Sequence, residues 1–376
     1  MKTTLSPGQQ ALQEQLEEFL DEELTPLVRR MADRSPHADT EDNPDIRAMI
    51  HQALTDLGLS AGLGRESWAI AAEQLGDVLY QGTLLDTAAA AELVSHTAAG
   101  GARDELLAAV AEGTRIALAA RDTGTGTTAD PAPLTVGPDG NTVTGSRSFV
   151  GFVPEADQLL VIGRAGGTVR AALVRPDAPG VTVRRHEELG RGELYAVGFD
   201  GAPVDTWLET DAGTTLAEAW RAVLDGARVR QAAYLVGLGQ GALDLAVSYA
   251  KSRKQFGKPL GHQQVIALRL ADLTARLDAV RLVVRAAAWE ADRPAGAPRL
   301  EAAQALAMAA ETARKIAAET MQVHGAYGMT EDSDAQLFYR RAAVESLRLG
   351  SPAELRSEVA PLLKDRLTGR GHSQPA

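Results

Sequence analysis

The chain has 376 residues, 45% of them hydrophobic, which is enough for a sizeable core and for two or three domains. Its formal charge is −12, its pI is near 5.2, and no window gathers Lys and Arg on one face as a phosphate-backbone binder requires, so nucleic acid is not an expected partner. It has no cysteine, which excludes disulfides, thiolate metal sites and a cysteine nucleophile and suits a reducing compartment.

The start, "MKTTLSPGQQ", is polar, and no uninterrupted apolar run approaches the length of a membrane span, so a cytoplasmic protein without membrane contact is expected. Residues 6–98 read as helices. Ser6 followed by Pro7 has the form of an N-cap with proline at the first helical position, and Leu12, Leu16, Phe19, Leu20 and Leu24 recur on one face. A second start at Asn43 and Pro44 leads into Ile46, Met49, Ile50, Ala53, Leu54 and Leu57 as an inward face, with Gly58 placed to stop it. A third amphipathic run covers about 67–80, and an alanine-rich stretch follows at 87–98.

From about 115 to 206 the pattern changes to short β-like runs punctuated by glycine and proline. "PLTVGPDGNTVTGSRSFV" carries a Pro-Asp-Gly turn between two strand-like segments, a hairpin signal. "ADQLLVIG", "VRAALVRP", "GVTVRR" and "LYAVGF" follow at the spacing of a small antiparallel sandwich or barrel. From about 214 to 366 the chain is helical again, in four or five long alanine- and leucine-rich segments whose small residues let helix axes approach. The expected fold class is α+β, with a helical N-terminal domain over 1–114, an antiparallel β domain over 115–206, a helical bundle over 214–366 and a disordered tail over 367–376.

Most motif-like stretches have a structural reading. "GLGQG" at 237–241 lies inside a helical run without the preceding strand that a dinucleotide fingerprint needs, so it reads as helix-packing glycines. "DTGTGTT" at 122–128 lacks a following helix and reads as a loop, and the seven histidines show no metal-ligand spacing.

Two segments stand out. In "SRKQFGKP", Arg253 offers a planar fork of donors suited to a pyrophosphate, Gln255 can bond a sugar or base edge, and Phe256 gives a ring to stack on. "QVHGAYGMTED" closes a helix with Gly325 and sets Gln322 beside glycines that allow close backbone approach. Each alone is equally readable as a helix C-cap with an ion pair; together, some seventy residues apart in one bundle, they suggest a single cofactor surface.

These segments resemble the acyl-CoA dehydrogenase family. "YAKSRKQFGKPLGHQQVIALRLADL" is similar to its R-x-Q-F-G-x-P segment with the downstream Gln264, and "QVHGAYGMTEDSDAQLFYRRA" to its Q-x-x-G-G-x-G segment with Tyr339 and Arg340. The resemblance spans nearly the whole chain and implies a helical N-terminal domain, a β middle domain and a C-terminal four-helix bundle. It implies FAD as cofactor, with Arg253, Gln255, Phe256, Gln322 and Gly325 reaching across a dimer interface to the ADP half of a neighbour's flavin. It further implies that Asp225 and Arg228, in "LDGARV", lie near an acyl-CoA site.

Departures from the family pattern are as informative. Dehydrogenation requires a carboxylate to take the α-proton. In "SLRLGSPAELR", registered by Gly350 and Arg356, Leu349 stands at that base's place, and the family's other base position, on an earlier helix, is Ala227. The loop that lines the flavin ring reads "RDTGTGTT", and the Trp-x-Thr strand reads Phe149 to Gly151, which leaves a ring at Phe149 but no hydroxyl at Gly151. One of the paired glycines is Ala326.

The resemblance is therefore to the degenerate subunits that some members, notably those acting on steroid side chains, pair with a complete one; "AAEQLGDVLYQGTLLDT" is similar to that branch as well. The expected function is α,β-desaturation of an acyl thioester, on coenzyme A or a carrier, with FAD and a homologous partner subunit that carries the base. Alternatives are a flavin-dependent monooxygenase or other repurposed enzyme on the same fold, a dehydrogenase with its base relocated to Glu345, and a structural or regulatory partner. Glu345 lies four residues before Leu349, one turn away on the same face if the helix continues, and its more ordinary reading is a solvated surface carboxylate.

Overall fold

Ser6 caps the first helix. Its hydroxyl accepts from the Gln9 amide, the Gln9 side chain returns to the Ser6 amide, and Pro7 takes the first helical position. The computed structural model describes residues 5–20, 44–59, 63–123, 127–187, 189–190, 192–211, 213–292 and 300–368. Along them run α1 (Pro7–Phe19), α2 (Pro44–Asp56), α3 (Arg65–Asp77), α4 (Leu84–Ser95) and α5 (Gly101–Ala111). Strands β1 (Ile116–Ala119), β2 (Thr135–Val136), β3 (Thr142–Gly151), β4 (Gln158–Ala165), β5 (Thr168–Val174), β6 (Val181–Arg185), β7 (Leu194–Pro203) and β8 (Thr206–Leu208) follow. Then come α6 (Leu216–Ser252), the short strands β9 (Lys254–Gln255) and β10 (Lys258–Pro259), α7 (Gln264–Ala291), α8 (Glu301–His324), α9 (Ala335–Glu345) and α10 (Pro352–Leu367). This is the expected α+β class, helical, then β, then helical. Leu24, Asn43 and the tail from 369 lie outside the described residues.

The chain forms two compact units, one of residues 1–35, 64–80 and 228–376, the other of residues 36–63 and 81–227. In the second unit the strands make two four-stranded sheets, ordered β1-β4-β5-β8 and β2-β3-β7-β6. Pairing is antiparallel except between β1 and β4, which run parallel with Ile116 opposite Gln158. The Pro-Asp-Gly turn joins β2 to β3, with the Gly140 amide donating to the Gly137 carbonyl at 2.9 Å and Gly140 at φ 77°.

One apolar cluster draws on both sheets, including Val143, Val150, Leu159, Val161, Val174 and Phe199. Through it passes Arg147, fully buried, whose guanidinium donates to the carbonyls of Ile162, Ala132 and Pro133, and burial lowers its pKa to about 10. The free edge of β1 is covered by α4, where the Thr87 hydroxyl exchanges hydrogen bonds with the Ile116 backbone and Asp86 accepts from the Leu118 amide.

Helix α2 ends at Gly58, φ 90°, whose amide donates to the Thr55 carbonyl. Its inward face differs from expectation. Ile50 and Leu54 are buried, but Met49 is 70% exposed, because the buried stripe runs through His51 and Thr55 instead. Those polar residues are admitted by local bonds: the Thr55 hydroxyl donates to the His51 carbonyl, and His51 Nδ1 lies 3.5 Å from the Thr83 hydroxyl.

In the first unit the glycines at 237–241 lie within α6 and pack it, as expected. A Cβ on Gly237 would fall 1.7 Å from the Glu73 carbonyl oxygen, and one on Gly76 would fall 1.9 Å from that of Tyr234, so α3 and α6 touch backbone to backbone. Helix α8 is tied to α6 by the Thr320 hydroxyl donating to the Ala242 carbonyl at 2.8 Å. No helix among the described residues is long and apolar enough to cross a membrane.

Candidate functional site

Helix α6 stops at Ser252 and the chain turns back within six residues. The Arg253 amide still donates to the Tyr249 carbonyl, and the Leu260 amide donates to the Arg253 carbonyl, closing a miniature hairpin of β9 and β10. Its two central residues, Phe256 and Gly257, both have positive φ, 52° and 75°, the requirement of a type I′ turn. Glycine meets that requirement at no cost; phenylalanine does not. The Phe256 side chain is also 91% exposed, and Arg253 and Gln255 are exposed beside it.

The second segment ends α8. Gly325, φ 62° and ψ −142°, donates its amide back to the Gln322 and Met321 carbonyls, and a Cβ there would meet open space. Gln322 and Gly325 are exposed. Gly328 is the confined glycine of the segment, since a Cβ would lie 2.8 Å from His324 Cβ. Ala326 is not among the residues with positive φ, so alanine in place of glycine carries no backbone penalty there.

The structure brings the two segments together through residues that the sequence did not single out. The Tyr249 ring stacks on His324, with centroids 4.2 Å apart, and Tyr327 lies 6.2 Å from Tyr249 at an interplanar angle of 13°. His324 is legible only as part of the quoted motif, and Tyr249 carries no local signal, because each matters through a partner some seventy-five residues away.

Leu349 occupies the left-handed region at φ 58°, followed by Gly350 at φ 127°. Arg228, only 2% exposed, donates through Nε to the Leu349 carbonyl at 3.3 Å and clasps Glu358 of α10 with both terminal nitrogens, at 2.8 and 2.7 Å. Its charge is thus met inside the chain. Asp225 is half-buried and Ala227 is buried on the preceding turn of α6.

Glu345 is a correction. It is not a solvated surface carboxylate but is 6% exposed, accepting from Arg341 at 3.1 Å and from the Gln231 amide at 3.0 Å. The helix does not continue to Leu349 either, since α9 ends at Glu345 and Leu349 lies beyond it at φ 58°, and no spacing showed that Arg341, one turn earlier, pairs with Glu345 inside the bundle.

In the second unit Phe149 is 49% exposed at φ 59°. The His186 imidazole stacks on it at 5.2 Å, and the Arg121 guanidinium lies 5.9 Å from its centroid. Gly151, opposite Leu194 across the ladder, offers no hydroxyl. The loop over 121–128, expected to line a flavin, is described only in part, and residues 124–126 lie outside the described residues; the Asp122 carboxylate before them accepts from Ser146 at 2.6 Å and Ser148 at 3.3 Å. Two buried carboxylates nearby, Glu155 and Glu193, both approach Arg47, and burial pushes Glu155 up while Arg47 opposes it.

A family model described as acyl-CoA dehydrogenase, C-terminal domain, matches residues 217–361. The chain is 37% identical over 219 residues to 3-sulfinopropanoyl-CoA desulfinase of Paraburkholderia xenovorans, covering 55% of each protein, and it spans about half the length of the first curated relatives it matches. It is 27% identical over 380 residues to the short-chain specific acyl-CoA dehydrogenase, mitochondrial, of Bos taurus, covering 93% of this chain and 89% of that one. Among solved structures, the ChsE4-ChsE5 complex from Mycobacterium tuberculosis aligns with a TM-score of 0.81 at 23% identity, covering 100% of each chain, a likeness of fold. With the bundle motifs, the helix–sheet–helix order and these matches in agreement, the chain has the acyl-CoA dehydrogenase fold, and its residues 217–361 match that family's C-terminal domain.

Proposed function

We propose that this chain is the non-basic subunit of a flavin-dependent acyl thioester dehydrogenase, lending Arg253, Gln255, Phe256, Gln322 and Gly325 to FAD held mainly by a homologous partner. The observation that carries this reading is Phe256. Phe256 is 91% exposed and held at φ 52°, so the hairpin bears a backbone cost to present a ring outward, where a nucleotide base would cover it.

The nucleotide half of FAD fits what the hairpin presents: a guanidinium fork for a pyrophosphate, an amide for a ribose or base edge, and a ring for stacking. On the isoalloxazine side the fit is poorer, since His186 already lies on Phe149 and Gly151 has no hydroxyl to give. A bound flavin would supply the hydride acceptor for an acyl β-carbon, and the α-proton would need a base that neither Leu349 nor Ala227 supplies. Arg228, clasped by Glu358, holds the Leu349 turn and offers no spare charge to a thioester or phosphate. The acyl chain and its carrier are left to the partner's pocket. The ChsE4-ChsE5 complex, an assembly of two named components on this fold, supports a paired arrangement.

Expressed alone, the chain is expected to purify colourless; co-expressed with a family member bearing a base glutamate, it is expected to purify in a yellow complex that desaturates acyl-CoA. A fully flavinylated assembly of this chain alone, active on acyl-CoA, would overturn the reading. A second reading, a repurposed enzyme such as a flavin monooxygenase, is favoured by the absence of both base side chains, and one relative, at 37% identity over about half of each chain, is named as a desulfinase and not as a dehydrogenase. Oxygen consumption with release of a hydroxylated product would select it.

A further inference from the structure

We infer that the Tyr249–His324–Tyr327 stack is a positioning element that holds the two clamp segments at one fixed spacing, with His324 as its keystone. This inference rests on the trans-clamp reading above.

Each ring belongs to one of the two segments and is fixed by its own backbone. Tyr249 lies four residues before Arg253, and its carbonyl accepts the Arg253 amide at 2.8 Å, so a shift of Tyr249 moves the base of the hairpin. His324 is the last residue of α8, two beyond Gln322 and directly before Gly325, and is 6% exposed. Its Nδ1 lies 2.8 Å from the Thr320 carbonyl. A carbonyl only accepts, so Nδ1 carries the proton and the ring plane is set. Tyr327 anchors the turn beyond Gly325, its hydroxyl donating to the Asp332 carbonyl at 3.0 Å and its carbonyl accepting from the Thr330 amide and hydroxyl.

The three rings are close to parallel, within 13° to 29° of one another. Stacked aromatic pairs gain beyond the area they bury and prefer defined geometries, and the Tyr249–His324 centroids, 4.2 Å apart, are in direct contact. The Thr320 hydroxyl bond to Ala242 fixes α8 on α6 one turn before this contact, so the stack completes a brace that begins in the helices and ends at the clamp.

The test uses the assembly this chain forms in its host, purified through a tag on this chain, with FAD as the probe. His324→Leu is expected to weaken FAD binding roughly tenfold, and His324→Phe, which restores a flat ring, to recover most of it. In an Arg253→Ala background the His324→Leu effect is expected to be clearly smaller than in the wild type, because the guanidinium it would misplace is already gone while Gln255, Phe256 and Gln322 remain. A ring that served only the fold would lower thermal stability equally in both backgrounds and show no such coupling to Arg253. Retention of FAD by His324→Leu at wild-type affinity, or full additivity with Arg253→Ala, overturns the positioning role. A wild-type assembly that holds no flavin instead overturns the clamp reading, and this inference with it.

Discussion

His51 shows what a single buried residue contributes and how that contribution depends on pH. It is 3% exposed and its pKa is lowered from 6.5 to about 4, first by burial and then by Arg115, with Asp157 opposing. The folded state thus resists a proton that the unfolded chain accepts. Stability from this site is complete above pH 6.5 and is lost as the pH falls toward 4, by about 3 kcal/mol across the window. Urea unfolding at stepped pH is expected to show the wild type losing that much more between pH 7 and 4 than His51→Gln, which cannot be protonated; identical slopes would mean that the imidazole is charged in the fold. No sequence pattern revealed this histidine, because its burial depends on α2 presenting His51 and Thr55 inward in place of Met49. Arg253 and Phe256 were legible for the opposite reason, since their spacing is local and their exposure needs no distant partner.

At the scale of elements, the glycines of α6 make a graded prediction. Gly237 and Gly241 would place a Cβ 1.7 Å and 2.5 Å from backbone carbonyl oxygens of α3, and backbone cannot yield without separating the helices. Gly239 would meet the tips of Leu277 and Ile316, at 3.2 and 3.5 Å, which can rotate, and the Ala313 Cα at an ordinary contact distance of 3.8 Å. Gly237→Ala is therefore expected to cost about 3 kcal/mol or more, while Gly239→Ala should be nearly neutral, its strain offset by about 1 kcal/mol of helix propensity. Thermal unfolding of the two variants checks this; equal losses would place the α3 contact elsewhere. The sequence showed that these glycines sit in a helix, because helical periodicity flanks them. It did not show that α3, some 160 residues earlier, is what they meet. The strand-like runs were likewise readable where they alternate, but 116–119 and 206–208 were not among them: "IALA" is buried on every side and has no period to detect.

For the whole molecule, family and fold were legible because two long motifs and the order of segments agree, whereas the site was legible only in part. Which residues a chain lends, and which it keeps for itself, depends on burial and pairing: Glu358 claims Arg228, and Arg341 and Gln231 claim Glu345, all from positions that no local spacing links. The division of labour can be read by substituting this chain alone within its assembly. On the proposed trans-clamp reading, Arg253→Ala is expected to lower flavin content and, in proportion, the desaturation rate, because the lost donors would serve the partner's cofactor. Leu349→Glu is expected, on the same reading, to leave the rate per flavin within about twofold, since the new carboxylate beside Arg228, itself held by Glu358, would face no flavin of its own. Flavin content by absorbance and turnover per flavin separate the two effects. If Leu349→Glu raised the rate tenfold or more, this chain would have to own a complete acyl site that lacked only its base.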